Sequence, residues 1–300
     1  MNLDRELFAQ ELSTRKQYIE QHLEQYLGAE MSRPVRIHEA MRYAVMNGGK
    51  RLRPILVLEA ARIAGSQPDQ VIPSACALEF IHCYSLVHDD LPAMDDDDFR
   101  RGKPTCHKVF GEANAILTGD ALLTTAFGLL AANAETEGIE LKDVIKVISE
   151  VAYAAGSRGM IGGQVLDLSG EANLGPEALS ELHRLKTGEL FKAALRTGAI
   201  LGKMEGRDLE ALTSFAYSFG LAFQITDDIL DVKGDQAVLG KPVGSDDKNA
   251  RTTYISIYGL AGASEKARQS IVDCLDHLSR FGREAEFLRD LARFTLVRTS

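Results

Sequence analysis

Apolar residues recur every three or four positions along almost the whole chain, and that spacing leaves little choice of fold. In "RELFAQELSTRKQYIEQHLEQYL" they fall at Leu7, Phe8, Leu12, Tyr18, Ile19, Leu23 and Leu27, the pattern of one buried helix face. Comparable stretches run over 37–46, 54–64, 70–90, 115–134, 142–155, 177–201, 208–232, 253–260, 264–278 and 284–296. Pro54, Pro73 and Pro176 sit near predicted helix starts, where the missing N–H costs least. Alternating strand patterns are absent. Asn47-Gly48-Gly49 follows a helical stretch and reads as a helix stop. The expectation is an all-α fold of about a dozen helices, one domain over residues 1–300.

Bulk chemistry narrows the partners. A net charge of −9 with no basic stripe argues against nucleic acid. Cys76, Cys83, Cys106 and Cys274 show no CxxC spacing and read as reduced thiols of a cytoplasmic protein. The first residues, "MNLDRELFAQELSTRKQ", hold no apolar signal core. The longest apolar run, "AILTGDALLTTAFGLLAANA", is interrupted by Gly119, Asp120 and Gly128, so no stable membrane insertion is expected.

The irregular segments lie at 48–53, 91–106, 169–175 and 233–249, and three of the four concentrate Lys, Arg or Asp. "HDDLPAMDDDDFRRGKPTCH" carries six aspartates, Asp89, Asp90 and Asp95 to Asp98. Alone, such a run is most often a solvated acidic loop. However, Asp89 and Asp90 close a helical pattern that Pro92 discourages from continuing. A helix C-terminus is a poor place for anions, by about 0.3–1 kcal/mol each.

A second cluster changes the balance. In "FQITDDILD", Asp227 and Asp231 lie one helical turn apart with Asp228 beside them. Such a carboxylate pair is unfavourable unless a cation lies between. The neighbours Phe223, Ile225, Ile229 and Leu230 place the helix in apolar surroundings, where uncompensated charge costs several kcal/mol. All-oxygen donors suit Mg2+ or Ca2+ rather than Zn2+. Mg2+ usually completes its shell with water and substrate phosphates. Cations for those phosphates stand in "GGKRLRP" (Lys50, Arg51, Arg53), "RRGKP" (Arg100, Arg101, Lys103), at Lys186, and in "GKPVGSDDKNAR" (Lys241, Lys248, Arg251). No GxxxxGK[ST] is present, so the chain is not a P-loop protein. A polyphosphate substrate is the reading.

The ordered set "GGKRLRP", "HCYSLVHDDLPAMDDDDFRRGKPTCH", "GQVLDL", "KTGELF", "FQITDDILD" and "GKPVG" resembles the trans-prenyl diphosphate synthases over nearly the whole chain. That resemblance implies a helical bundle around a deep central cavity, with the two aspartate motifs facing each other across its mouth. It implies isopentenyl diphosphate and allylic diphosphates as substrates. Mg2+ is the implied metal, three ions once substrate is bound, with Mn2+ able to substitute. Asp89, Asp90 and Asp95 would hold metal on one wall, with Asp227 opposite and Asp228 and Asp231 acting nearby, partly through water. Arg100, Lys186 and Lys241 would grip the allylic diphosphate. Gly49, Lys50, Arg53, His82 and Arg101 would bind isopentenyl diphosphate. Thr187 and Gln224 would line the path of the developing cation. Glu79 and Asp167 are expected to pair with cations, and Asp98 to orient an arginine. His88, His107 and His183 are read as structural. The family is usually homodimeric, and a homodimer is implied here.

Tyr84 lies five residues before Asp89, about 7.5 Å down the helix axis at 1.5 Å per residue. With the "PA" insertion of "DDLPAMD", an aromatic there resembles the bacterial farnesyl diphosphate synthases, Tyr84 being the floor that stops chain growth. Geranyl or geranylgeranyl diphosphate synthases are the nearest alternatives. A non-catalytic partner subunit would be expected to lose aspartates from one motif, and both motifs are intact. The family usually has Lys where "NARTTY" has Arg251, which keeps the charge and changes its geometry.

Overall fold

The computed structural model describes residues 4–28, 33–169, 174–233 and 252–297. Among them are thirteen α-helices and one two-stranded ribbon. The helices are α1 (Arg5–Tyr26), α2 (Val35–Met46), α3 (Leu52–Ile63), α4 (Ile72–Asp89), α5 (Cys106–Phe110), α6 (Glu112–Ala132) and α7 (Leu141–Ala155). They continue as α8 (Met160–Leu168), α9 (Pro176–His183), α10 (Glu189–Leu201), α11 (Gly206–Lys233), α12 (Tyr254–His277) and α13 (Glu286–Thr295). The all-α expectation holds. Local signals start several helices. Asp4 caps α1 by accepting from the Leu7 N–H at 3.1 Å. Thr253 and Ser256 form a reciprocal capping box on α12.

Helix α4 is the centre of the bundle. It packs on α3, α6 and α10, and Leu78, Phe80 and Ile81 are fully buried. Burial on so many sides requires a helix apolar nearly all round, which is why its sequence shows so weak a polar stripe. The rings of Phe191, Phe215 and Phe219 continue this core, with Phe191–Phe219 and Phe215–Phe219 centroids 5.2 and 5.7 Å apart. Glu79, on α4, does pair with a cation: Arg51 Nη1 lies 2.7 Å from its Oε1. Arg51, just before α3, has a left-handed backbone (φ 53°). Its buried guanidinium also donates to the Val45 carbonyl at 2.6 Å and to Glu20 at 3.3 Å.

Four details depart from the sequence expectation. The stretch 177–201 is two helices separated by a π-helical turn, Arg184–Gly188. The stretches 253–260 and 264–278 are joined into α12 across a kink at Gly259 (φ 65°, ψ 167°), a conformation open to glycine. Helix α8 lies outside the predicted helical stretches, because Gly162 and Gly163 weaken its helical signal. A ribbon of β1 (Phe99–Arg100) and β2 (Lys103–Pro104) pairs antiparallel. It turns on Arg101 and Gly102, both at positive φ (54° and 77°), as a tight hairpin requires.

Two segments, Pro68–Asp89 and Glu112–Glu135, are long and apolar enough to cross a membrane, more than the interruptions in the sequence implied. The first is core, with 72% of its apolar window buried; the second has only 33% buried. Its outer face exposes Ile116 and Leu117.

Candidate active site

A cavity of about 710 Å3 opens between α3, α4, α8, the π-turn and α11. Two aspartates reach it from different helices: Asp89 from the last turn of α4 and Asp227 from α11. Burial pushes the Asp89 carboxyl up to about 6, with Asp95 and Asp90 adding repulsion against the pull of Lys186 and Arg100. A carboxylate held at that cost is matched to an incoming cation. No group of three ligating side chains stands preassembled among the described residues. This donor set fits a hard cation that draws its remaining ligands from water and diphosphate oxygens.

The other first-cluster aspartates are placed differently. Asp90 is buried and turned away from the cavity, its Oδ1 taking Arg100 Nε at 2.6 Å and Nη2 at 2.5 Å. The Asp95 N–H donates to the Asp89 carbonyl at 2.9 Å, closing the "DDLPAMD" insertion into a compact loop. Asp97 lies 3.4 Å from Arg100, whereas Asp98 pairs with Lys108 at 2.6 Å. The arginine partner expected for Asp98 thus belongs to Asp97 and Asp90.

One side of the cavity is cationic. Gly49, Lys50 and Arg53 enter from the loop before α3 and its first turn, with Arg101 from the ribbon turn and His82 from α4. Burial lowers Arg53 to about 10, which leaves it charged at neutral pH. Its guanidinium lies 4.8 Å from the Phe191 ring, and its buried Nε has no hydrogen-bond partner. An orphaned buried donor of this kind calls for a ligand acceptor. Arg101 donates to the Gly48 carbonyl, and its guanidinium occupies the space a Cβ on Gly49 would take, 2.6 Å away. His82 is held neutral: burial first, then the surrounding arginines Arg53, Arg101, Arg100 and Arg51, keep it well below the usual imidazole range.

The π-turn brings Lys186 and Thr187 to the same cavity. A π-turn inserts an extra residue into helical register and is frequent at functional sites. Here it aims both side chains into the cavity. Lys186 Nζ is 2.6 Å from Asp167 Oδ2 on α8, the cation expected for Asp167. The approach is close enough that a Cβ on Gly163 would stand 2.3 Å from the Lys186 backbone nitrogen. Thr187 Oγ1 donates to Gln224 Oε1 at 3.3 Å, and Gln224 Nε2 donates to Asp228 Oδ1 at 3.1 Å. Asp228 Oδ2 then accepts from the Tyr254 N–H at 2.9 Å. Asp228 and Asp231 are buried beside the cavity rather than in its lining.

Tyr84 and His88 also line the cavity, and Val165, Leu168 and Phe223 give it apolar surface. Gln164 has no role among the motif assignments, yet both polar atoms of its buried, cavity-lining amide are unpartnered. Its place inside "GQVLDL" was the available signal. Of the residues read as structural, His88 also faces the cavity. His107 contacts Thr105 (3.1 Å) and His183 packs on the Tyr254 ring. Lys241, Lys248 and Arg251 lie outside the described residues.

This arrangement has counterparts. The polyprenyl synthetase family model matches residues 34–289. The chain belongs to the polyprenyl synthetase family. It is 46% identical to the farnesyl diphosphate synthase of Geobacillus stearothermophilus over 89% of this chain and 90% of that one. It is also 46% identical to the farnesyl diphosphate synthase of Escherichia coli (strain K12), over 93% of each. Among solved structures, an FPP/GFPP synthase from Zymomonas mobilis superposes with a TM-score of 0.86 at 36% identity, covering 97% of this chain and 99% of that one. As a polyprenyl synthetase the chain is a prenyltransferase, as its sequence resemblance implied.

Proposed function

We propose that this polyprenyl synthetase is a farnesyl diphosphate synthase, condensing isopentenyl diphosphate with dimethylallyl and then geranyl diphosphate. One observation carries the reading. Asp89 and Asp227 line one cavity together with the cations Lys50, Arg53, Arg101 and Lys186 and with Tyr84, Val165, Leu168 and Phe223; in this reading the aspartates stand at its mouth and Tyr84 at its floor. A diphosphate fits the mouth and a growing isoprenoid the depth.

Asp89 and Asp227 hold Mg2+, with Asp95 supporting the first wall and Asp231 the second. A metal held there would supply positive charge to the diphosphate leaving group. Mn2+, a similar oxygen-seeking cation, can substitute. Lys186, fixed by Asp167, adds positive charge where the leaving group gains negative charge. Arg100 and Lys241 keep their allylic assignment from the motifs alone, as does the metal role of Asp90. Gly49, Lys50, Arg53, Arg101 and neutral His82 hold the diphosphate of isopentenyl diphosphate. The alkene carbon attacks the allylic cation, and the released diphosphate takes up the proton the product then loses. The oxygens of Thr187 and Gln224 face the positive charge between those steps.

The same reading includes a homodimer formed through the outer faces of α6 and α7. There Ile116, Leu117, Leu141 and Ile145 are exposed, an apolar area that water disfavours. It also places the protein in the cytoplasm, where the four buried free cysteines remain reduced. Leu117→Asp should shift the sedimenting species from dimer to monomer.

The test of activity is mass spectrometry of products made from isopentenyl and dimethylallyl diphosphates with Mg2+. Farnesyl diphosphate should dominate; geranyl or geranylgeranyl diphosphate as the main product would overturn the chain length. Asp89→Ala and Asp227→Ala should each abolish turnover with unchanged circular dichroism. Full turnover by either would sink the metal assignment.

A further inference from the structure

Tyr84 has an unusual freedom for a residue that must act as a floor. Its side chain is buried at 5% exposure, yet its hydroxyl has no hydrogen-bond partner. No polar contact fixes the ring, so packing must. One packing partner is His88, one helical turn along α4, whose ring meets Tyr84 edge-on at 5.7 Å and 80°. Residues four apart on a helix face the same way, and both line the cavity.

His88 is itself held from α6. Its Nε2 lies 3.0 Å from the Ile116 carbonyl, so the ring carries its proton on Nε2 and donates. The Nε2 end of the imidazole also fills the space beside Gly119. A Cβ there would stand 2.1 Å from Nε2, 2.4 Å from Cδ2 and 2.8 Å from Cε1. Those three atoms are the nearest neighbours a side chain at residue 119 would meet. The position therefore works as a socket for one ring.

We infer that His88, seated on Gly119 of α6, is a specificity-determining residue that fixes Tyr84 across the cavity and so sets product length, an inference resting on the synthase reading above. The growing chain gains about 0.8 kcal/mol for each carbon it buries, so the floor must resist displacement. A ring braced against helical backbone resists better than one held by mobile side chains. Removing the brace lets Tyr84 swing aside and the chain lengthen. Filling the socket has the opposite effect, because α6 closes one side of the imidazole and the cavity lies on the other.

Four variants test this by product mass spectrometry. His88→Ala should raise products longer than farnesyl about tenfold, the ratio given by about 1.4 kcal/mol in competing barriers. His88→Gln, whose amide can still donate to the Ile116 carbonyl, should restore the wild-type distribution. Gly119→Ala should shift products towards geranyl diphosphate. The double variant His88→Ala with Gly119→Ala should match His88→Ala, since the added methyl then has no ring to displace. Unchanged product distributions in both single alanine variants, with wild-type activity intact, would overturn the inference and leave the synthase reading standing. Absence of prenyl product from the wild type would overturn the synthase reading itself. Should Gly119→Ala fail to fold, His88→Ala against His88→Gln decides: a shift in the first that the second reverses supports the brace, and equal distributions refute it.

Discussion

Asp167 Oδ2 stands 2.6 Å from the Lys186 ammonium, across the gap between α8 and the π-turn. The pair fixes a long, flexible side chain in the one direction that meets the cavity. Asp167→Asn keeps the shape and removes the charge. It should lower kcat about tenfold or more, equivalent to about 1.4 kcal/mol, while leaving thermal stability near wild type. Steady-state kinetics beside a melting curve checks this. A wild-type kcat would show that Lys186 needs no such partner.

The same contact depends on Gly163. A methyl there would meet the Lys186 backbone, 2.3 Å from its nitrogen. Gly163→Ala must separate α8 from the π-turn, at a cost of about 1–3 kcal/mol, the usual range for overpacking. Urea denaturation reads that cost, and turnover should fall with it.

Glu79 carries a different kind of cost. It faces the fully buried Arg51 guanidinium at 2.7 Å. Glu79→Ala leaves that charge only the longer carboxylate contact to Glu20 at 3.3 Å and should destabilise by about 3 kcal/mol, whereas replacing both Arg51 and Glu79 with apolar residues costs less. Comparing Glu79→Ala with a double Arg51→Met, Glu79→Leu variant by denaturant titration decides between them. Equal losses would contradict the buried-pair account.

Tyr84→Ala should open the cavity and move products beyond farnesyl diphosphate. The substitution is read from the product distribution alone, since loss of a buried aromatic also costs about 3–5 kcal/mol of stability. A wild-type distribution would remove Tyr84 from the floor.

Stability should also fall in acid through His183. Burial holds its imidazole down to about 4 from an ordinary 6.5. As pH falls through that window the unfolded chain takes up a proton that the folded chain refuses, so the equilibrium moves towards unfolding. This contribution is harmless above pH 6.5, grows down to about 4 and is constant below. Asp89, pushed up to about 6 from 3.8, acts with the opposite sign. A His183→Asn comparison isolates the histidine: the variant should lose less stability between pH 6.5 and 4 than wild type.

The helices were legible because burial imposes a period, and the period survives in α1, α7 and α11. The aspartates were legible because charge is costly inside apolar helices, the cations of "GGKRLRP" and Lys186 because a polyphosphate needs them, and Gln224 only through the family resemblance of its motif. What stayed hidden depends on contacts between distant segments. The π-turn at Arg184–Gly188 has an ordinary helical sequence, and only its packing on Gly163 displays the extra residue. Asp90 and Asp89 are neighbours of identical chemistry, yet one faces the cavity and the other faces Arg100. That division comes from how the "DDLPAMD" loop folds back. His88 looked ordinary because Gly119, which gives it a place, is thirty-one residues further along the chain.

Asp228 joins Gln224 on one oxygen and the Tyr254 amide on the other. The wall that carries Thr187 and Gln224 is therefore finished by a segment near the far end of the chain. While the protein is being synthesised, the aspartates, the cationic side and the π-turn all exist before that amide does. A growing chain can thus hold most of the pocket and still lack the amide anchor of its Gln224 wall. Its arrival ties full competence to a late stage of synthesis.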